Sequence, residues 1–271
     1  MSDAVLEQWM MGKDKNQYSP TPTHHCPLIS IIIPARNDAK AVGLTLDYLQ
    51  QLNGIADVEI LIGASGRAEE TERAVAGRAR LLWPGGCTRS ALMNAAAEAA
   101  RGEILFFLHA DSLPPPEAFA QIQLQCKDPK IIGGAFEHRF YESLWSLRTI
   151  SWINRRRYRI TRNYYGDQGI FVRAKAFRAL GGYRELSLME DLDLSRRLKG
   201  MGRTALIRLP LLTSGRRFID RGPWRTFAFI VWLLFLHTLR IDTERYAKHW
   251  QGPPDCVPGS RWHRASSGVG Q

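Results

Sequence analysis

Four cysteines, Cys26, Cys87, Cys126 and Cys256, are all that the 271 residues contain. They stand far apart with no Cys-x-x-Cys pair, so neither a disulfide framework nor a structural zinc is expected, and a reducing compartment suits the chain. Glycine-rich nucleotide fingerprints are missing too. No Gly-x-Gly-x-x-Gly follows the first apolar run and no P-loop pattern occurs anywhere, which removes the dinucleotide and P-loop readings. Long hydrophobic runs are absent. The longest, Phe227–Leu236 extended by His237, Thr238 and Leu239, reaches about 13 residues against the roughly 20 that cross a bilayer. Residues 1–27 are polar and lack an apolar h-region, so a flexible leader and a cytoplasmic location are expected. Acidic residues are scarce, 26 against 37 Lys and Arg, and the net charge of +11 implies an anionic partner. Nucleic acid, a phosphorylated small molecule and an acidic membrane surface all satisfy that charge.

The most informative stretch present is Glu103–Ser112, where the apolar run Ile104–Leu108 stops on His109-Ala110-Asp111. Such a run reads as a strand buried on both faces, and strands of this kind deliver their last residues to the crevice where ligands bind. Side chains alternate with a period of two, so His109 and Asp111 fall on one side and can share a cation. Around this strand the pattern is strand, helix, strand, helix, strand, helix, strand, with strands at Leu28–Ile33, Val58–Ile62 and Leu81–Trp83, and helices at 39–51, 68–79 and 89–100. That alternation predicts an α/β domain with a mostly parallel sheet flanked by helices. Beyond Pro114-Pro115-Pro116, a helix (117–125), a strand (131–141), a basic aromatic helix (144–162), a strand (169–173) and a helix (174–180) follow. Another helix opens at Met189-Glu190-Asp191.

Glu190 and Asp191 stand in the first turn of that helix, where the macrodipole and free backbone amides favour negative charge. Set in order with Leu28–Pro34, His109–Asp111, Gly166-Asp167-Gln168-Gly169 and Met189–Arg197, they resemble family 2 glycosyltransferases of the GT-A, Rossmann-like nucleotide-diphospho-sugar transferase fold. The resemblance runs from about Leu28 to Trp224. It is closest to a bacterial subgroup with His-Ala-Asp, Gly-Asp-Gln-Gly and Met-Glu-Asp motifs, all of which stand here unbroken.

By this resemblance Asp111 holds a divalent cation on the diphosphate of a UDP- or GDP-sugar, with His109 in place of the first Asp of an Asp-x-Asp motif. Asp191 is the base, and Asp167 and Gln168 line the sugar or acceptor side. Pro34, Arg36, Asn37 and Asp38, after the first strand, and Glu190 belong to the substrate and nucleotide side. Arg89 and Asn94 match subgroup positions and are read as nucleotide contacts, Arg89 alternatively as a solvated helix face. Arg216 and Arg217 are expected to reach the diphosphate. The chemistry suits these types: a cation neutralises the leaving oxygen, and an opposed carboxylate takes the acceptor proton in a single inverting displacement. A histidine ligand favours Mn2+ over Mg2+. One departure is plain: Gly63-Ala64-Ser65-Gly66-Arg67 carries no carboxylate where the family holds the nucleobase.

The chain therefore divides into a leader (1–27), a GT-A domain (28–225), an apolar interfacial helix (226–249) and a disordered tail (250–271). The basic aromatic helix, with Trp152, Arg155, Arg156, Arg157 and Tyr158, is read as a peripheral membrane contact on the cytoplasmic face, ahead of nucleic acid. An inverting glycosyltransferase acting on a hydroxyl acceptor, lipid or envelope glycan included, is the expected function. A catalytically silent module of the same fold is the alternative, and a nucleic-acid binder is not expected.

Overall fold

A computed structural model of the protein describes residues 28–86, 88–239, 241, 243 and 246. The expected leader and tail lie outside the described residues. Strands β1 (Ile29–Arg36), β2 (Val58–Ser65), β3 (Arg80–Leu82) and β4 (Ile104–Phe107) run parallel in the order β3-β2-β1-β4. Their sequences are nearly continuous Ile, Leu and Phe because both faces are covered. Ile31, Ile33, Ile60, Ile62 and Phe106 join one core, while Ile32, Leu61, Leu105 and Phe107 join the opposite one. Each such buried side chain contributes about 1.5–3 kcal/mol.

The first face is closed by α1 (Ala39–Leu49), α2 (Ala68–Val75) and α4 (Ala118–Cys126), through Leu46, Val75 and Phe119. Met93, Phe177 and Leu194 close the second, from α3 (Arg89–Ala99), α6 (Ala174–Ala179) and α7 (Glu190–Met201). Thr88 starts α3 by accepting the Ala91 N–H at 3.2 Å, which satisfies one of the helix's orphan amides.

From β4 onward the sheet is mixed, in the order β4-β7-β6-β8-β5, with β5 (Ser112–Leu113), β6 (Ile131–Phe140), β7 (Ile170–Arg173) and β8 (Arg203–Thr213). Strand β7 is antiparallel to β4 and β6, β8 is parallel to β6, and β5 is antiparallel to β8. Pattern reading leaves out β5, the helix at Arg216–Arg221 and, the longest of them, strand β8. It carries Arg203, Arg208 and Pro210, and Pro210 pairs with Glu137 just past a register shift after Phe136, a bulge of the kind that admits proline. Its far end pairs Leu212 with Leu113 and Thr213 with Ser112.

Helix α5 (Trp145–Thr161) packs on α9 (Pro223–Thr238), which follows α8 (Arg216–Arg221). Phe218 and Phe227 close a small third core over Phe140, Leu147 and Ile150. The apolar helix runs over Pro223–Thr238, with Pro223 suited to its first turn. Among the described residues no helix is long and apolar enough to cross a membrane.

Candidate active site

The ends of β1 and β4 meet the β5–β8 pair, and this rim gathers charge. At the end of β1, Asn37 adopts a left-handed conformation (φ 51) and its Oδ1 accepts the Arg67 N–H at 3.0 Å, which pins the end of β2 to the turn. Asp38 follows, with its Oδ2 3.7 Å from Arg216 Nη2. Asp111 lies beside both: burial and the charge of Asp38 raise its pKa, while Arg217 and Arg216 oppose the rise. The pairing of β5 with β8 accounts for this meeting, since the Ser214 N–H also donates to the Asp111 carbonyl at 3.3 Å.

Deeper in, Asp191 occupies the first turn of α7 after Met189, itself in the left-handed region (φ 63). Its Oδ2 accepts the Gly166 N–H at 2.6 Å and its Oδ1 accepts the Leu192 N–H at 2.7 Å. Burial and the neighbouring Glu190 push the carboxyl up to about 6, against Arg89 and the two N–H donors. Arg89 donates from Nε to Glu190 Oε1 at 2.7 Å and holds Nη2 3.8 Å from Asp191 Oδ2. Gly166 is fixed by crowding. A Cβ there would run into His109 Nε2, 2.7 Å from Arg89 Nη2 and 3.2 Å from Asp191 Oδ2. His109 is kept neutral by burial and by Arg89, Arg217 and His138.

Beside Asp191 the short 3-10 turn Gly166–Gln168 carries Asp167, whose Oδ2 lies 3.5 Å from His138 Nε2. Gln168 is buried, with Nε2 donating to the Phe136 carbonyl at 3.0 Å and Oε1 accepting the Tyr165 N–H at 3.1 Å. Its amide shapes the turn that presents Asp167. Pro34 is buried within β1, paired with Gly63, and Arg36 is the last residue of that strand.

The structure gives the expected residues His109, Asp111, Arg89 and Asn94 settings that the sequence does not show. β4 ends at Phe107 and residues 109–112 form a turn closed by Ser112 N–H to His109 O at 3.2 Å, so the turn and not strand alternation sets how His109 and Asp111 face the site. The strand alternation stops before it reaches them. His109 turns Nε2 toward Gly166 and Arg89, and Asp111 lies beside Asp38 and Arg216, with Arg217 acting on both. Among the described residues no group of three or more His, Cys, Asp or Glu gathers as metal ligands. Arg89 is not a solvated helix face; it is half-buried against Glu190 and Asp191. Asn94 clamps the backbone of Tyr183, donating to its carbonyl at 2.8 Å and accepting its N–H at 2.9 Å.

Sequence reading misses His138, and it places Arg157 in a basic surface helix. Arg157 folds back, its guanidinium 3.9 Å above the Tyr165 ring, while Arg156 lies over Trp152 at 5.0 Å. An alternation signal existed for His138, which falls on the buried side of β6 between Phe136 and Phe140.

The architecture is that of solved GT-A glycosyltransferases. A mannosyltransferase from Pyrobaculum calidifontis, in complex with GDP-Man and Mn2+, matches with a TM-score of 0.56 at 18% identity, over 78% of this chain and 65% of that one, less than two thirds of its length. Glucosyl-3-phosphoglycerate synthase from Mycobacterium tuberculosis, in complex with Mn2+, UDP and glucosyl-3-phosphoglycerate, matches at 0.53 and 16% identity, over 80% of this chain and 82% of that one. Mannosyl-3-phosphoglycerate synthase from Rubrobacter xylanophilus gives 0.50 and 17%, over 81% and 78%. At these identities the likeness is one of fold. No curated protein matches the chain. The model of glycosyl transferase family 2 matches residues 30–181, more than half of the chain, from β1 through the Asp111 rim and the Asp167 turn to the end of α6, and the chain belongs to that family.

Proposed function

We propose that the chain transfers a sugar from a UDP- or GDP-linked donor to a hydroxyl acceptor with inversion, with Asp191 as the general base. The observation that supports this best is the state of Asp191. A carboxyl raised to about 6 is ionised at neutral pH yet basic enough to take a proton, and the Gly166 and Leu192 amides fix both oxygens. Arg89 keeps the second carboxylate, Glu190, occupied, so the acceptor proton goes to Asp191.

On the rim, Asp111 and Asp38 bring two like charges together with oxygen donors only, a set that suits Mn2+ or Mg2+. Asp111 with Asp38 is the pair that best supports a cation on this rim. A cation held there supplies Lewis-acid neutralisation of the departing diphosphate. Arg216 and Arg217 add fixed positive charge on the same side, and the acceptor enters from the Asp167 side. Asp191→Asn is expected to lower transfer by about 10²–10⁴-fold with donor binding kept, and Asp111→Ala to abolish metal activation. Transfer and donor hydrolysis untouched by both changes would leave a silent binding module of this fold.

Peripheral attachment to a membrane is supported by a separate observation. Trp145, Trp152, Trp224, Trp232 and Phe235 are exposed on α5 and α9, among Arg148, Arg155, Arg156, Arg221 and Arg225. Aromatic side chains interleaved with arginine suit an anionic lipid surface on the cytoplasmic face. Co-sedimentation with anionic vesicles that weakens in salt and is lost in Trp152→Ala/Trp232→Ala is the expected result; equal recovery with neutral vesicles refutes it.

A further inference from the structure

Among the described residues, buried polar atoms without a hydrogen bond gather beside the base. His138 Nδ1 and Nε2, Asp167 Oδ1 and Arg157 Nε are all in that state. All three residues line one cavity of about 10 Å³, room for one water-sized group. Buried polar atoms are nearly always paired, so this concentration marks a place built for a ligand atom. Separate elements fix each wall. His138 comes from β6, its ring edge-on to Phe140 with centroids 4.5 Å apart. Arg157 comes from α5, stacked on Tyr165 and donating from Nη1 to the Asn163 carbonyl at 3.3 Å. Asp191 is close enough for its charge to act on both Arg157 and Tyr165.

The wall carries no net charge. Arg155 and Arg157 are balanced by Glu137 and Asp167, and burial keeps His138 neutral. An anion gains nothing there that a hydroxyl does not. One hydroxyl can donate to Asp167 Oδ1 while accepting from Arg157 Nε–H and from the single N–H of neutral His138.

We propose that this notch seats a second hydroxyl of the acceptor, so that the acceptor is a neutral sugar or polyol offering two neighbouring hydroxyls, one to Asp191 and one to His138, Asp167 and Arg157. The inference rests on the transfer reaction with Asp191 as base. In that reaction the first hydroxyl oxygen bonds to the anomeric carbon, the bond to the nucleoside diphosphate breaks, and the proton passes to Asp191. The second hydroxyl is bound throughout and unchanged.

The test uses the full chain with Mn2+ and UDP- and GDP-sugar donors, offered methyl glucoside, methyl mannoside and glycerol as neutral probes and 3-phosphoglycerate as the anionic one. Transfer to a neutral probe is expected. His138→Phe, which keeps the ring on Phe140, and Asp167→Asn should each raise the KM for that probe about tenfold, the weight of a lost hydrogen bond, with the donor KM moved less than about twofold. Transfer to 3-phosphoglycerate alone overturns the proposal. So does an acceptor KM unmoved in both variants while their melting temperatures shift, which would make the notch a structural water site. Failure of the underlying reading looks different: wild-type protein then neither transfers nor hydrolyses any donor, and the acceptor proposal falls with it.

Discussion

The acid limb of the pH profile follows from Asp191. A carboxyl shifted from 3.8 to about 6 is half ionised near pH 6 and about one-tenth ionised at pH 5, so kcat/KM is expected to fall about tenfold between pH 7 and pH 5. Glu190→Gln tests the cause. Glu190 raises Asp191 by its own charge and also occupies Arg89, so neutralising it removes a repulsion and frees a guanidinium 3.8 Å from Asp191 Oδ2. Both effects act in one direction, and the limb should move toward acid. A companion signature is read in denaturant. Because the folded pKa lies above the unfolded one, the native state binds the extra proton between about pH 4 and 6, so this contribution is full below 3.8 and is lost as pH rises through about 6. At 1.36 kcal/mol per unit it amounts to about 3 kcal/mol. Steady-state kinetics of Glu190→Gln from pH 4.5 to 8, beside urea unfolding of wild type and Asp191→Asn over the same range, measures both. A limb that stays in place or moves to higher pH in Glu190→Gln refutes the reasoning.

Two other substitutions separate positioning from binding. Gly166→Ala places a methyl group among His109, Arg89 and Asp191, and since displacing a catalytic group by about 1 Å can cost about 100-fold, kcat should fall by that order with little change in donor KM; near-wild-type turnover would show that the three side chains can yield. Asn94→Ala removes both bonds to the Tyr183 backbone and should destabilise by about 1–3 kcal/mol in thermal or urea unfolding. A loss of nucleoside diphosphate affinity with stability intact would return Asn94 to the nucleotide.

How much of this is legible in the sequence depends on the range of the interaction. Strands β1, β2 and β4 announce themselves because burial on both faces leaves runs of Ile, Leu and Phe, and the first crossovers follow from alternation. Strand β8 does not, because arginines and Pro210 interrupt its pattern at the bulge. Asp191 is legible from a motif at a helix start. The partner of Arg89 is not, since Glu190 lies 101 residues away and only the tertiary fold brings the starts of α3 and α7 together. His109 and Asp111 show the limit of local periodicity: the strand ends at Phe107, and a turn rather than alternation sets the two side chains. His138 and Arg157 each look ordinary alone. Their meaning comes from the unpaired atoms they share with Asp167.

The two-residue strand β5 has one more consequence. Ser112 Oγ and Thr213 Oγ1 lie 3.1 Å apart, and Thr213 Oγ1 donates to the Asp167 carbonyl at 3.1 Å. With the threonine proton committed to Asp167, the serine must donate to the threonine, so the direction of both bonds is set. One hydroxyl pair therefore ties the neighbour of Asp111 to the backbone of Asp167. The spacing between the Asp111 turn and the Asp167 turn is held by the β5–β8 pairing and these two bonds.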